Sequence, residues 1–251
     1  MTIAMRPSPL SAIVPICLLL GWEVATRTGT LDPRIFSQPT AIVAAIAEAA
    51  RDGSLIQATR ETLEAAVVGL VLGFVFGVAL GILLGLRTGL EVAARPTTEM
   101  LRSIPAIAFT PLALLLLGFG LSMEVAIVAY ACCWPIFIAT LTAVRNIDPR
   151  LLEIASVLEM SPQRRLRTII APAVFARVVV GLRTAIAFAL VVAVTVEILS
   201  NPRGLGYALI VAQQTFRPDL MYALIVWLAI LGAIFGGLSK LLDYTRIGRL
   251  A

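Results

Sequence analysis

The chain has 251 residues, of which 59% are hydrophobic and 14% are charged, and its mean hydropathy is +0.96. Soluble domains are about 45–50% apolar and about 25% charged, so this composition excludes an ordinary water-soluble domain. The absence of histidine and the single lysine, Lys240, exclude histidine catalysis and a phosphate-binding loop of the G-x-x-x-x-G-K type. The net charge of +5 does not indicate nucleic-acid binding, because the basic residues are dispersed between apolar stretches.

The other reactive side chains give no sign of chemistry within the chain. The three cysteines, Cys17, Cys132 and Cys133, lack the C-x-x-C spacing of redox and metal sites, so we expect them to be small apolar side chains. The long apolar stretches contain no clustered carboxylates. We therefore predict that the protein is not an enzyme and that it needs no metal or cofactor of its own.

The first apolar run, Leu10–Ala25, follows a short positively charged amino terminus. It lacks a clear small-x-small cleavage site before Arg27, so we interpret it as an uncleaved first span rather than a signal peptide. The alanine-rich amphipathic stretch Ala41–Arg51 follows Thr40 and is typical of a helix at the membrane surface. Residues 1–60 are thus predicted to form an N-terminal unit, and residues 61–251 a core with five further spans.

Five later apolar runs approach or reach the length of about 20 residues that a membrane-spanning helix needs. They are Leu63–Leu86, Ile104–Gly118, Met123–Val144, Val178–Leu199 and Leu220–Leu242. The sequence therefore predicts an all-α integral membrane protein with about six transmembrane helices. Pro105 and Pro111 interrupt the third span, and membrane helices tolerate prolines where neighbouring groups satisfy the freed carbonyls. Since bends of this kind are common around a pathway, both prolines are candidate pathway residues.

The second predicted span carries a glycine at every fourth position, at Gly69, Gly73, Gly77, Gly81 and Gly85. Residues with this spacing share one helix face, and small residues let helix backbones approach closely in lipid. We expect this face to pack within one subunit. The alternative is that it forms the seam of a dimer.

The distribution of Arg and Lys predicts the orientation of the chain. With the amino terminus placed in the cytoplasm, thirteen basic residues fall on the cytoplasmic side and six on the outer side. Cytoplasmic loops carry the excess of Arg and Lys in membrane proteins. We therefore predict that both termini are cytoplasmic and that the protein lies in the inner membrane of a bacterial cell.

The longest predicted cytoplasmic connection, residues 145–177, carries two explicit helix starts. Asp148-Pro149 and Ser161-Pro162 each place a capping side chain before a proline at the first helical position. We predict two short helices with a turn near Glu159–Met160. The first helix presents an apolar face to water, and such a face is typical of a docking element. Its residues are Leu151, Leu152, Ala155 and Leu158.

This loop resembles the EAA loop of binding-protein-dependent ABC importer permeases. Glu153 and Ala155 match the first and third positions of the E-A-A motif, Ile154 replaces the second, and Pro172 matches the closing proline. The family glycine falls at Glu159, so it is missing here. Either the turn has a different geometry, or Glu159 contacts a partner.

The resemblance covers nearly the whole chain. Leu101–Pro105 is similar to the family's L-R-P-I-P segment, and Trp134–Ile136 is similar to its F-P-I. Glu197 followed by Gly204–Tyr207 resembles the A-E and G-L-G-Y of the branch that includes nitrate, alkanesulfonate, taurine and pyrimidine-precursor importers. The resemblance implies a type I importer permease fold and transport of a small solute, such as a sulfonate, taurine or nitrate.

Such permeases work with partners, and the resemblance implies the same partners here. They are a second permease subunit that forms a homodimer with this chain, two cytosolic ATPase subunits, an extracytoplasmic substrate-binding protein and the lipid bilayer. The EAA loop would be the coupling helix that enters a groove on the ATPase. The residues implied in coupling are Glu153, Ala155, Leu158, Glu159, Met160, Ser161, Arg164 and Arg165.

Two polar residues near the outer side are further candidates for the pathway. Glu197 lies near the outer end of the fifth span, and an ionisable residue inside a membrane is functional by default. It lines or gates the pathway, or it pairs with Arg203 or Arg183. Gln213 lies in the following outer segment. The alternative function is an ion-coupled secondary transporter with Glu197 as its ion site.

Overall fold

The structure is a computed structural model that describes residues 10–32 and 35–244. Within those ranges the chain forms helices and no strand, which confirms the predicted all-α class. A 3₁₀ turn, Ala106–Phe109, precedes α5, and a π-helical segment, Leu166–Ile170, joins α8 to α9. The α-helices are α1 (Leu10–Arg27), α2 (Pro39–Arg51), α3 (Ser54–Leu86), α4 (Thr88–Ser103), α5 (Thr110–Leu117), α6 (Leu121–Arg145), α7 (Pro149–Val157), α8 (Pro162–Arg165), α9 (Ala171–Leu199), α10 (Gly204–Gln214) and α11 (Pro218–Tyr244).

Four helical stretches among the described residues are long and apolar enough to cross a membrane. They are Ser54–Leu86, Leu121–Arg145, Pro162–Leu199 and Pro218–Gly237. A fifth span results if α4 and Ala106–Leu117, which meet at 88°, are counted together. The described residues thus give four or five spans, and about six were predicted for the whole chain. Arg6, Arg246 and Arg249, which the predicted orientation uses, lie outside the described residues.

The second span begins earlier than the predicted Leu63. Asp52 accepts a hydrogen bond from the Ser54 N–H at 2.8 Å, and Gly53 has a φ of 83°. This turn starts α3 at Ser54, and hydrogen bonds from the Ser54 side chain and backbone lower the pKa of the Asp52 carboxyl. The predicted boundary between residues 60 and 61 therefore falls inside α3.

The glycine face of α3 packs against α6, which confirms the prediction of packing within one subunit. A side-chain carbon added at Gly73 would lie 2.7 Å from the Ala129 carbonyl oxygen and 2.7 Å from the Cys132 Cβ. One added at Gly81 would lie 2.5 Å from the Thr140 Cβ. The two helix backbones thus approach each other over several turns, and α9 packs against both helices through buried alanines.

The amphipathic helix α2 turns its apolar face towards the protein. Ile42 and Ala45 are buried in a cluster with Ala223 of α11, and Trp22 of α1 packs against that cluster. Val43, on another face of α2, is 67% exposed. The apolar face predicted to lie on the membrane surface therefore joins α2 to the last span.

Candidate functional site

The predicted coupling loop begins with the cap that its sequence indicates. The Asp148 carboxylate accepts the Arg150 N–H at 2.9 Å, and Pro149 occupies the first turn of α7. The Ser161 hydroxyl likewise accepts the Arg164 N–H at 3.4 Å, directly before Pro162. Both predicted helix starts are thus confirmed.

The second helix of the loop is not short, and this part of the prediction is wrong. The helix that starts at Pro162 continues through the π-helical segment into α9 and ends at Leu199. Proline normally interrupts a helix because it lacks an N–H and its ring crowds the preceding turn. Here the Ala171 N–H reaches back five residues to the Leu166 carbonyl. The widened turn lets Pro172 enter without ending the helix.

The turn between the two helices keeps a left-handed residue at the position of the missing glycine. Glu159 has a φ of 47°. Its N–H donates to the Ser156 carbonyl at 3.1 Å, and the Met160 N–H donates to the Ala155 carbonyl at 3.0 Å. This pair of hydrogen bonds is a Schellman motif, in which glycine is the favoured residue at the position of Glu159. The turn therefore has the left-handed geometry that glycine favours, and glutamate adopts it.

Replacing Glu159 with glycine is expected to stabilise the loop by about 1 kcal/mol, since a left-handed backbone costs a residue with a side chain about that much. The same substitution at Glu153, which lies inside α7, should destabilise by about 1 kcal/mol because glycine is a poor helix former. The free energies of unfolding of the two variants in detergent measure the difference. Equal effects on the free energy of unfolding at the two positions would contradict a free-energy cost of the left-handed backbone at Glu159.

The surface of α7 exposes four apolar side chains. Val157 is 82% exposed and Leu158 is 66% exposed. Ala155 is only 1% exposed, so it packs inside the loop and cannot itself touch a partner. We name the exposed group the α7 apolar surface, and its members are Leu151, Ile154, Val157 and Leu158.

The other predicted coupling residues surround this surface. Glu153, Glu159, Ser161 and Arg164 are exposed, whereas Arg165 is half-buried. Met160 and Arg165 line a cavity of about 410 Å³ with residues of α3, including Ile82 and Leu86. The loop and the end of α3 thus share the lining of this cavity, while α7 exposes its apolar side chains.

The predicted pathway residues lie in different surroundings. Pro105 is exposed at the bend after α4, and Pro111 lies in the first turn of α5, where its missing N–H leaves no hydrogen bond unmade. Gln213 is exposed near the end of α10. Glu197 is only 1% exposed and lies inside the helix packing. Their roles in a pathway stay predictions.

Glu197 belongs to a polar cluster that the sequence reasoning did not assemble. Three consecutive N–H groups at the start of α10 need acceptors, because the first turn of a helix has none of its own. The Gly204 N–H donates to Glu61 at 3.0 Å and the Leu205 N–H to Thr62 at 2.9 Å. The Gly206 N–H donates to Glu197 at 2.8 Å. Side chains from α3 and α9 thus cap α10.

A third carboxyl, that of Glu124, completes this cluster from α6. Its residue is 2% exposed, and its carboxyl accepts a hydrogen bond from the Asn201 side-chain amide at 2.8 Å. The Asn201 side-chain oxygen in turn accepts the Gly120 N–H at 3.1 Å. The sequence does give one indication of Glu124, because it is an ionisable residue at the start of a predicted span.

Several known proteins are similar in sequence to this chain over most of its length. The chain is 30% identical to the aliphatic sulfonates transport permease protein SsuC of Escherichia coli, over 92% of the chain and 88% of that protein. It is 27% identical to SsuC of Bacillus subtilis, over 92% of the chain and 84% of that protein. It is 33% identical to the riboflavin transport system permease protein RibX of Chloroflexus aurantiacus, over 90% and 84%.

Solved structures share the fold. A structure of the MetNI methionine ABC transporter in an inward-facing conformation matches with a TM-score of 0.64 and 20% identity, covering 75% of this chain and 94% of that chain. An amino acid ABC transporter matches with a TM-score of 0.58 and 16% identity, over 79% and 96%. The family model described as the binding-protein-dependent transport system inner membrane component matches residues 69–246. The chain therefore belongs to that family of ABC importer permeases.

Proposed function

We propose that this chain is the membrane subunit of an importer that moves a small anion, such as a sulfonate, taurine or nitrate, into the cytoplasm. Membership of the permease family carries the transport function. The similarity to two aliphatic sulfonate permeases supports an anionic substrate. The similarity to a riboflavin permease makes a larger organic solute the second candidate.

The proposal places energy coupling on the α7 apolar surface. Four exposed apolar side chains on one short, doubly capped element have no partner within the described residues. Such a patch facing water is typical of a protein interface, and its occupant is a cytosolic ATPase subunit, one for each of two permease subunits. Glu153, Glu159 and Arg164 form the polar rim of this interface, where charges set orientation and association rate.

The proposed transport cycle needs a second permease subunit, most simply another copy of this chain. One subunit contributes half of the pathway, and α5 exposes a row of apolar side chains that includes Leu115 and Leu116, at 81% and 71%. Substrate arrives from an extracytoplasmic binding protein. Closure of the ATPase subunits tilts the spans between inward-open and outward-open states, with Pro105, Pro111, Glu197 and Gln213 as pathway or gate residues. The complex lies in the inner membrane with both termini cytoplasmic.

The coupling role is tested by reversing the charge of Glu153. We expect Glu153→Arg to reduce ATPase co-purification and uptake at least about tenfold, equivalent to about 1.4 kcal/mol of binding free energy. The reason is that the substitution places a positive charge in the rim where the interface has a negative one. Glu153→Gln is the matched control, because it removes the negative charge without adding a positive one, and it should retain assembly. Normal assembly and uptake by Glu153→Arg would contradict the coupling assignment.

The substrate is tested with the complete complex in proteoliposomes. ATP hydrolysis stimulated by a binding protein loaded with an alkanesulfonate, and not with riboflavin, supports the sulfonate assignment. Stimulation by riboflavin alone would replace it. Uptake that follows an ion gradient without ATP would instead support the secondary-transport alternative, which the family membership already disfavours.

A further inference from the structure

The carboxyls of Glu124 and Glu197 meet inside the helix packing. Glu124 Oε2 accepts the Asn201 side-chain amide at 2.8 Å, and Glu197 Oε2 accepts the Gly206 N–H at 2.8 Å. The two carboxyls are neighbours, and the Thr62 side chain lies beside Glu197 as well. The Oε1 atom of each carboxyl is buried and has no donor from any other residue. Two neighbouring carboxyls, each with one oxygen that lacks a donor, are therefore buried between α6 and α9.

The charged groups around this pair do not neutralise it. Glu61 on α3 adds a third carboxylate, and Arg203 lies 3.8 Å from Glu61 and is 38% exposed at its side chain. α3 also contributes the hydroxyl of Thr62, and α10 contributes only the neutral Gly206 N–H. Within the described residues, Arg203 is thus the cation at this cluster, and its ion pair is with Glu61.

Two adjacent buried carboxylates that have no ion pair of their own do not both ionise, because desolvation and mutual repulsion disfavour the doubly charged form. We infer that Glu124 and Glu197 hold one proton between them, as an O–H of one carboxyl that donates to an oxygen of the other. A single proton gives both carboxyls a partner, since one carboxyl becomes the donor and the other the acceptor. The pair then carries one negative charge rather than two.

This shared proton joins the beginning of α6 to the end of α9. Without it, two negative charges would face each other in the contact that also positions Gly206 and Asn201. The proton therefore acts as a structural ligand of the subunit, and its loss would loosen the cap of α10. Raising the pH should accordingly destabilise the wild-type protein, because the folded pair then releases a proton that its packing needs.

Infrared spectroscopy of the full-length protein in lipid nanodiscs tests the shared proton. At neutral pH we expect a carbonyl band of a protonated carboxyl that shifts in D₂O and disappears in both Glu124→Gln and Glu197→Gln. Either glutamine supplies a neutral donor, so the remaining carboxylate ionises. Glu64→Gln, at an exposed residue of α3, is the matched control and should keep the band. The alkaline loss of thermal stability should be present in the wild type and absent from both pair variants.

Three results would overturn the inference. The first is the absence of a protonated-carboxyl band from the wild type at any pH at which it folds. The second is survival of the band in one of the two pair variants, which would place the proton on a single residue. The third is unchanged alkaline destabilisation in Glu124→Gln. If a variant does not fold, titration of the wild-type band decides, because one proton for the pair requires the loss of one band in one step, and a loss in two steps would contradict it.

Discussion

A valine in place of Gly73 is expected to prevent stable packing of α3 against α6. Its Cβ would lie 2.7 Å from the Ala129 carbonyl oxygen, which is backbone and cannot rotate away. Overpacking of a tight core costs about 1–3 kcal/mol and occasionally more. We expect at least the upper end of this range, about 3 kcal/mol, a large part of the 5–15 kcal/mol that stabilises a typical protein. The free energy of unfolding in detergent, together with the yield of monodisperse protein, measures the effect.

Alanine substitutions separate crowding from helix propensity. Alanine is favoured over glycine in a helix by about 1 kcal/mol. Gly232→Ala on α11 is the matched control, because nothing lies within 4 Å of the added carbon, and we expect it to be neutral or stabilising. Gly73→Ala should destabilise despite the same gain in propensity. Equal stability of the two alanine variants would show that the glycine face of α3 does not make the close contact described above.

An aspartate in place of Val157 is expected to abolish assembly with the ATPase while leaving the permease folded. Val157 is 82% exposed in the subunit, so the substitution removes no internal contact. In an interface it would bury an unpaired charge, and hot-spot losses of this kind exceed about 2 kcal/mol, or about 30-fold in the dissociation constant. Co-purification with the ATPase and the unfolding temperature of the isolated subunit measure the two parts of the prediction.

The same valine-to-aspartate change at Val43 provides the matched control. Val43 is 67% exposed on α2, which lies on the opposite side of the membrane in the predicted orientation. We expect Val43→Asp to retain ATPase assembly. Loss of assembly in both variants would mean that an exposed charge harms the complex without a specific contact, and normal assembly of Val157→Asp would remove the α7 apolar surface from the interface.

Local signals in the sequence were sufficient for the helix starts and for the main helix contact. Asp148 and Ser161 cap helices because each precedes a proline in the first turn, a rule that needs only neighbouring residues. The spacing of the glycines likewise predicts a close helix contact from one segment alone. The partner helix, α6, could not be named from the sequence, since a small-residue face does not encode what packs on it.

The buried cluster could not be predicted because its members are distant in the chain. Thr62 accepts the N–H of Leu205 from 143 positions away, and only the completed fold brings them together. The length of the second loop helix was missed for a different reason. Pro172 suggests a helix end, but the widened turn at Leu166–Ile170 accommodates it. The usual sequence rules for proline do not predict a widened turn, because it depends on the backbone conformation of the preceding residues.

The unbroken helical stretch from Pro162 to Leu199 gives the subunit a lever arm. Its 38 residues extend about 57 Å at 1.5 Å per residue, and one end begins at the cap of Ser161 while Glu197 lies near the other. A movement applied to the helix at Pro162 is transmitted along one continuous helix to Glu197, and no loop lies between these two residues. The compliant point on this lever is the π-helical segment, Leu166–Ile170, because its wider hydrogen-bond spacing interrupts the regular ladder. The stiffness of the helix and the compliance of that one segment would together set how much of a movement at Ser161 reaches Glu197.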